Sequence, residues 1–95
     1  MYIVDLIYLK PLAEVQMHLE AHRAFVDAQY AREIFLASGP KHSKDGGVFV
    51  INGRIARDEL DKVLAADPFH LHKVALYKVT EFSPVKFAPA LAAIL

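Results

Sequence analysis

The 95-residue chain contains no cysteine. No disulfide holds it together, and it has neither a thiol nucleophile nor a thiolate metal ligand. It has no excess of either charge, since eleven basic and eleven acidic side chains balance. No basic run stands out, which argues against nucleic acid or an anionic membrane as a partner. It also lacks a signal-peptide pattern. Met1-Tyr2-Ile3-Val4-Asp5 has no basic n-region or cleavage site, and Asp5 and Lys10 interrupt the apolar run. The stretch reads neither as a leader nor as a membrane span, so a cytoplasmic protein is expected. There is no linker, short-period repeat or low-complexity segment. One domain over residues 1–95 is expected, with a core of about 2–87 and an apolar extension over 88–95.

What is abundant is apolar surface, with hydrophobic residues making up 55% of the chain. A chain this short buries only about 60% of the surface its unfolded form exposes. Such an excess points to apolar surface left over for a partner subunit.

Residues 2–9 read as a strand rich in β-branched and aromatic types, closed by Lys10-Pro11. A helix comes next, from Pro11 to about Ala28 or Tyr30, with Pro11 at its start and Glu14 in its first turn. Leu12, Val15, Leu19, His22 and Val26 recur at steps of three or four and share one face. Residues 32–41 and 48–51 read as a hairpin around Lys44-Asp45-Gly46-Gly47. Asn52-Gly53 resembles a tight hairpin turn. The segment beyond it, about Arg57 to Ala66, is helical in pattern instead. Asp58 and Glu59 suit a first turn, Leu60, Val63 and Leu64 form a stripe, and Pro68 stops it. Residues 69–82 read as the last strand.

The order is therefore β-α-β-β-α-β, the split βαβ, ferredoxin-like arrangement. It is an α+β fold with a four-stranded antiparallel sheet and both helices on one face. The other face, drawn from Tyr2, Val4, Leu6 and Tyr8 or their neighbours, needs a cover. A homodimer supplies one.

His22 is the one ionisable residue on the core stripe of the first helix. Burying it without a partner costs roughly 1–3 kcal/mol. Asp67, in Ala66-Asp67-Pro68-Phe69, is the best candidate partner. It is expected at the C-terminal end of the second helix, where an anion is disfavoured and a hydrogen-donating histidine would offset the cost. From spacing alone the pair reads first as a structural hydrogen bond, and second as acid/base machinery. In the second role His22 moves the proton, because an ordinary imidazole titrates at about pH 6.5, and Asp67 fixes its tautomer. Ser38, before Gly39-Pro40, is either a turn residue or a donor to a substrate oxygen. Lys41, with Lys44 and Asp45, belongs to a charged loop that is either a solvated turn or, through Lys41, a contact to an anionic substrate. Phe69 and Tyr77 read as core. His18 and His22 share a helix face, and His70 and His72 share a strand face. With no His-Glu-x-x-His motif present, His18, His42, His70 and His72 read as solvated surface residues, and neither metal nor cofactor is expected.

Three motifs in this order resemble the YciI-like (YCII-related) family: Glu20-Ala21-His22-Arg23-Ala24-Phe25-Val26, Ala37-Ser38-Gly39-Pro40 and Ala66-Asp67-Pro68-Phe69. The likeness covers about residues 2–87. It implies a dimeric α+β barrel of ferredoxin-like subunits and a cleft whose His–Asp pair, here His22 and Asp67, is the site. It also implies chemistry like that of the family's dehydrochlorinases or of muconolactone isomerase-like relatives. The family often has His-Leu where this chain has His22-Arg23, and it lacks the apolar end. The reading is a small cofactor-independent lyase or isomerase acting on a small organic substrate. The alternatives are a non-catalytic ligand-binding or accessory module in the same cleft and a purely structural dimer.

Overall fold

Alternating burial organises the first strand. The computed structural model describes all 95 residues and begins with β1, Tyr2–Tyr8. Tyr2, Val4 and Leu6 are buried beneath the helices in one cluster with Val15, Leu60 and Phe69. Their neighbours Ile3, Asp5 and Ile7 therefore occupy the opposite face. Of the two sets expected to await a cover, it is the neighbours that do.

The expected single first helix is two. Helix α1, Leu12–Gln16, ends at Met17, and α2, Leu19–Ala31, starts after His18. The backbone tightens at the junction, where Met17 N–H bonds the Glu14 carbonyl and His18 N–H the Val15 carbonyl. These i→i−3 bonds close the last turn of α1. The apolar spacing continues through the break, because Leu12, Val15, Leu19, His22 and Val26 all still border one cleft. Periodicity alone hides such a break.

Helix α2 leaves through Glu33, which has φ of 61°, so β2 is Phe35–Pro40 rather than the longer strand expected. Strand β3, Gly46–Ile51, starts at the glycines, since Gly46 and Gly47 pair with Ile7 and Leu6 of β1. Asn52 is buried and ends this strand. Its amide donates to the Glu33 carbonyl, and its side-chain oxygen accepts Arg54 N–H. The chain then enters α3, Arg57–Ala65, which buries Leu60, Val63 and Leu64.

The largest departure comes after α3. Asp67 and Pro68 begin a short helix, α4, Pro68–Leu71. Asp67 caps its N-terminus and accepts Phe69 N–H, and Pro68 occupies the first turn, where its missing N–H is no loss. The last strand, β4, therefore runs only over Ala75–Glu81, and Phe69, His70 and His72 are not in a strand.

The sheet order is β2-β3-β1-β4, antiparallel throughout, which is the ferredoxin-like arrangement. Register places Ile3 beside Val50, Asp5 beside Val48 and Ile7 beside Leu76 on the face without helices. The extension makes one 3-10 turn, Pro89–Leu91, and Arg54 donates to the Ala93 carbonyl, while Phe87 and Ile94 stay exposed. No helix is long and apolar enough to cross a membrane.

Gly46 sets the spacing of β1 and β3, because a Cβ there would fall on the Leu6 carbonyl oxygen. Gly46→Ala should lower unfolding free energy by roughly 1–3 kcal/mol, as overpacking does. An unchanged denaturation midpoint would contradict this close approach.

Candidate active site

Asp67 is fully buried, and its carboxylate meets three donors from three elements. Phe69 N–H of α4 reaches Oδ1 at 3.0 Å. The Tyr77 hydroxyl of β4 donates to Oδ2 at 2.5 Å. His22 Nδ1 of α2 lies 2.8 Å from Oδ1. A carboxylate only accepts, so Nδ1 carries the hydrogen of the neutral ring and Nε2 keeps its lone pair. The expected disadvantage of an anion at a helix C-terminus is reversed. Asp67 is the N-cap of α4, where a carboxylate is favoured.

Tyr77 remains a donor across the working range of pH. Burial, then the charge of Asp67 and the hydrogen bond to it, push its ionisation far above that of ordinary tyrosine. Its role is absent from the sequence pattern. Alternation in β4 marks it as inward-facing, but nothing in the pattern says where its hydroxyl ends.

The His22 ring stacks on Phe69 with centroids 3.8 Å apart and planes 4° from parallel, and the Phe49 ring lies 6.0 Å away. The side chain is 12% exposed. It borders a cleft of about 440 Å³ between α1, α2 and the inner side of β1, β2 and β3. Leu6, Tyr8, Val15, Leu19, Val26 and Phe49 supply apolar walls. Nε2, on the edge away from Asp67, bonds no protein group.

Ser38 borders the same cleft and shares a hydrogen bond with the Tyr30 hydroxyl at 2.7 Å. Lys41 is elsewhere. Its ammonium pairs with Asp5, whose side chain belongs to the sheet face without helices, and it does not line the cleft. Lys41 follows Pro40, the last residue of β2, and so stands apart from Ser38, the other residue expected to meet a substrate. The remaining histidines do not converge with His22. His18 stacks on His72 at 3.9 Å, and the His70 and Tyr77 rings stand perpendicular, 5.9 Å apart.

Residues 1–83 match the YCII-related domain family. No functionally curated protein sequence matches the chain. A similar solved structure is the 5-chloro-2-hydroxyhydroquinone dehydrochlorinase of Burkholderia phenoliruptrix AC1100, in complex with 2,5-dihydroxybenzoquinone. The TM-score is 0.66 at 19% identity, covering 87% of this chain and 94% of that one. At that identity the likeness is one of fold.

Two measurements test the site. Long-range proton–nitrogen NMR of neutral His22 should show hydrogen on Nδ1, and Asp67→Asn should shift the population toward Nε2–H. A wild-type ring protonated mainly at Nε2 would overturn the assignment. The second concerns alkaline pH. Unfolded tyrosine ionises near its ordinary value of 10.0, while folded Tyr77 does not. The stability this supplies is complete below pH 10 and declines above it, by about 1.4 kcal/mol per pH unit. Tyr77→Phe should cost roughly 1.5–3 kcal/mol at neutral pH, the usual worth of a hydrogen bond to a charged group. It should also flatten the decline above pH 10 by one proton. Parallel stability–pH curves for the two proteins would remove Tyr77 from this role.

Proposed function

The chain belongs to the YCII-related domain family, and on that premise we propose that it is a small enzyme in which His22 moves one proton on a small organic substrate. The observation that carries this is the free Nε2 of a ring whose other nitrogen is held by a buried carboxylate, facing a cleft of about 440 Å³. Geometry of this kind makes Nε2 a base when neutral and an acid once protonated, with Asp67 stabilising the imidazolium. Ser38, which borders the cleft and bonds the Tyr30 hydroxyl, is the proposed partner for a substrate oxygen.

Elimination or isomerisation suits this equipment, since both proceed by proton movement without a nucleophile or redox centre. In an elimination, Nε2 takes a proton from substrate carbon or hydroxyl. The released electron pair forms a new π bond, and the leaving group departs with its own bonding pair. The dehydrochlorinase of like fold is named for such a reaction and was solved with a hydroxyquinone, so a substituted six-membered ring is the substrate class assigned here. Chloride release from 5-chloro-2-hydroxyhydroquinone is the direct assay. His22→Ala should reduce turnover by roughly 10²–10⁴-fold, the range of a lost acid/base group, with circular dichroism unchanged. Turnover independent of His22 would defeat the proposal. Ring binding without chloride release would favour the cleft as a binding site alone.

The second part of the proposal is a homodimer. Ile3, Ile7, Val48, Val50 and Leu76 share the sheet face that no helix covers, and Ile7 and Leu76 are exposed in the single chain. Two such faces packed about a two-fold axis bury the same patch on each subunit. Sedimentation at micromolar concentration should give about twice 10.6 kDa. Ile7→Glu should shift the species toward the single-chain mass, and a stable wild-type monomer would overturn the dimer.

A further inference from the structure

Four arginines are present, and three are engaged within the protein. Arg32 bonds the Gln29 side chain, Arg54 the Ala93 carbonyl, and Arg57 pairs with Asp61. Arg23 alone has no hydrogen-bond or ion-pair partner. It is next to His22 in sequence and lines the same cleft, where the only other formal charge is Asp27. Arg23 and Asp27 are i and i+4 on α2, as Glu20 and Arg23 are i and i+3, yet neither acid pairs with the guanidinium. For Asp27, a base placed N-terminal to an acid is the weaker order of an i,i+4 pair on a helix.

Resting on the reading of the cleft as a small-molecule site, we infer that Arg23 selects substrates carrying an ionised oxygen on the ring. Consecutive helical residues point about 100° apart, so Nε2 and the guanidinium address different edges of one bound molecule. Apolar walls hold the ring body, and a planar, permanently charged fork meets an anionic oxygen with two parallel hydrogen bonds. The cleft, at about 440 Å³, lies toward the lower end of the range for small-ligand sites, which suits a single substituted ring. A proton leaving such a substrate to Nε2 increases negative charge in the conjugated system. The charge stays on the substrate's oxygens, where the guanidinium, already bonded to one of them, stabilises it.

The test compares 2,5-dihydroxybenzoquinone, whose hydroxyls are vinylogous acids and ionise readily, with its uncharged dimethyl ether. Affinities are measured by calorimetry for wild type, Arg23→Gln and Arg23→Lys. Because Arg23 is exposed, neither substitution disturbs the core. Arg23→Gln should weaken the anion by about tenfold, as loss of a charge-assisted pair does, and the ether by less than about twofold. Arg23→Lys should retain part of the preference. Raising salt from about 50 to 500 mM should erode it in wild type. Equal changes for anion and ether, or none, would overturn the role of Arg23 while leaving the cleft a small-molecule site. Failure of both compounds to bind wild type would overturn the reading of the cleft, and the role of Arg23 with it.

Discussion

Everything around the cleft depends on one buried carboxylate. An ion excluded from water is tolerated only when donors replace its hydration. Asp67 obtains those donors from a helix on one side, a strand on the other and the backbone immediately after it. α2, α4 and β4 are separate elements of the chain, but none can shift without uncovering the charge. The geometry of His22 is a consequence of this. Its Nδ1 is required by Asp67, its flat face rests on Phe69, and Phe69 is itself held in α4 by Asp67. One residue thus fixes both the direction and the plane of the ring.

The cleft exists because side chains are missing where the sheet would otherwise fill it. Gly47 stands opposite Leu6 on β1 and contributes no side chain to the inner layer. Gly39 pairs with Val48, so a side chain there would stand on the opposite face, and it is Gly47 that leaves the space. The stripe on α1 and α2 therefore has too little sheet surface to cover it. Val15 is buried, Leu19 and Val26 are half-buried, and Leu12 is exposed. What reads in sequence as a core-facing stripe is in large part the wall of a cleft, and for that reason a histidine on it is not sealed away.

Pattern and order were enough to place the four strands and the helical segments before β2 and after β3, because each strand and helix has its own period and the periods do not depend on distant contacts. The errors cluster where one residue type serves two opposite purposes. Pro68 ends one helix and begins another, and nothing in the local sequence separates those roles until the Asp67 side chain is seen to cap Phe69 N–H. The break at Met17 and His18 leaves no gap in the apolar spacing. Lys41 is next to Pro40, a cleft residue, yet belongs with Asp5, because one step past a strand's end changes the side to which a residue turns. His22 and Asp67 were legible as a pair since each was anomalous in its own segment. Tyr77 was not, since an inward tyrosine in a strand is ordinary, and its importance lies in a bond made across ten residues and a helix.

On the proposed reading, the pair serves acid/base use rather than stability. A buried carboxylate with its donors seldom stabilises a fold more than apolar residues of the same volume, because desolvation offsets most of what the donors return. Here apolar packing is already extensive. Val4, Leu6, Leu60, Phe69 and Val74 are all almost wholly buried in the surrounding cluster. A carboxylate in that setting adds specificity of orientation. What it orients is a ring with one nitrogen consumed and the other open to solvent at a cleft. A structural hydrogen bond needs no such opening. An acid/base group requires both halves of the arrangement: a fixed tautomer on the inside and an unoccupied lone pair on the outside.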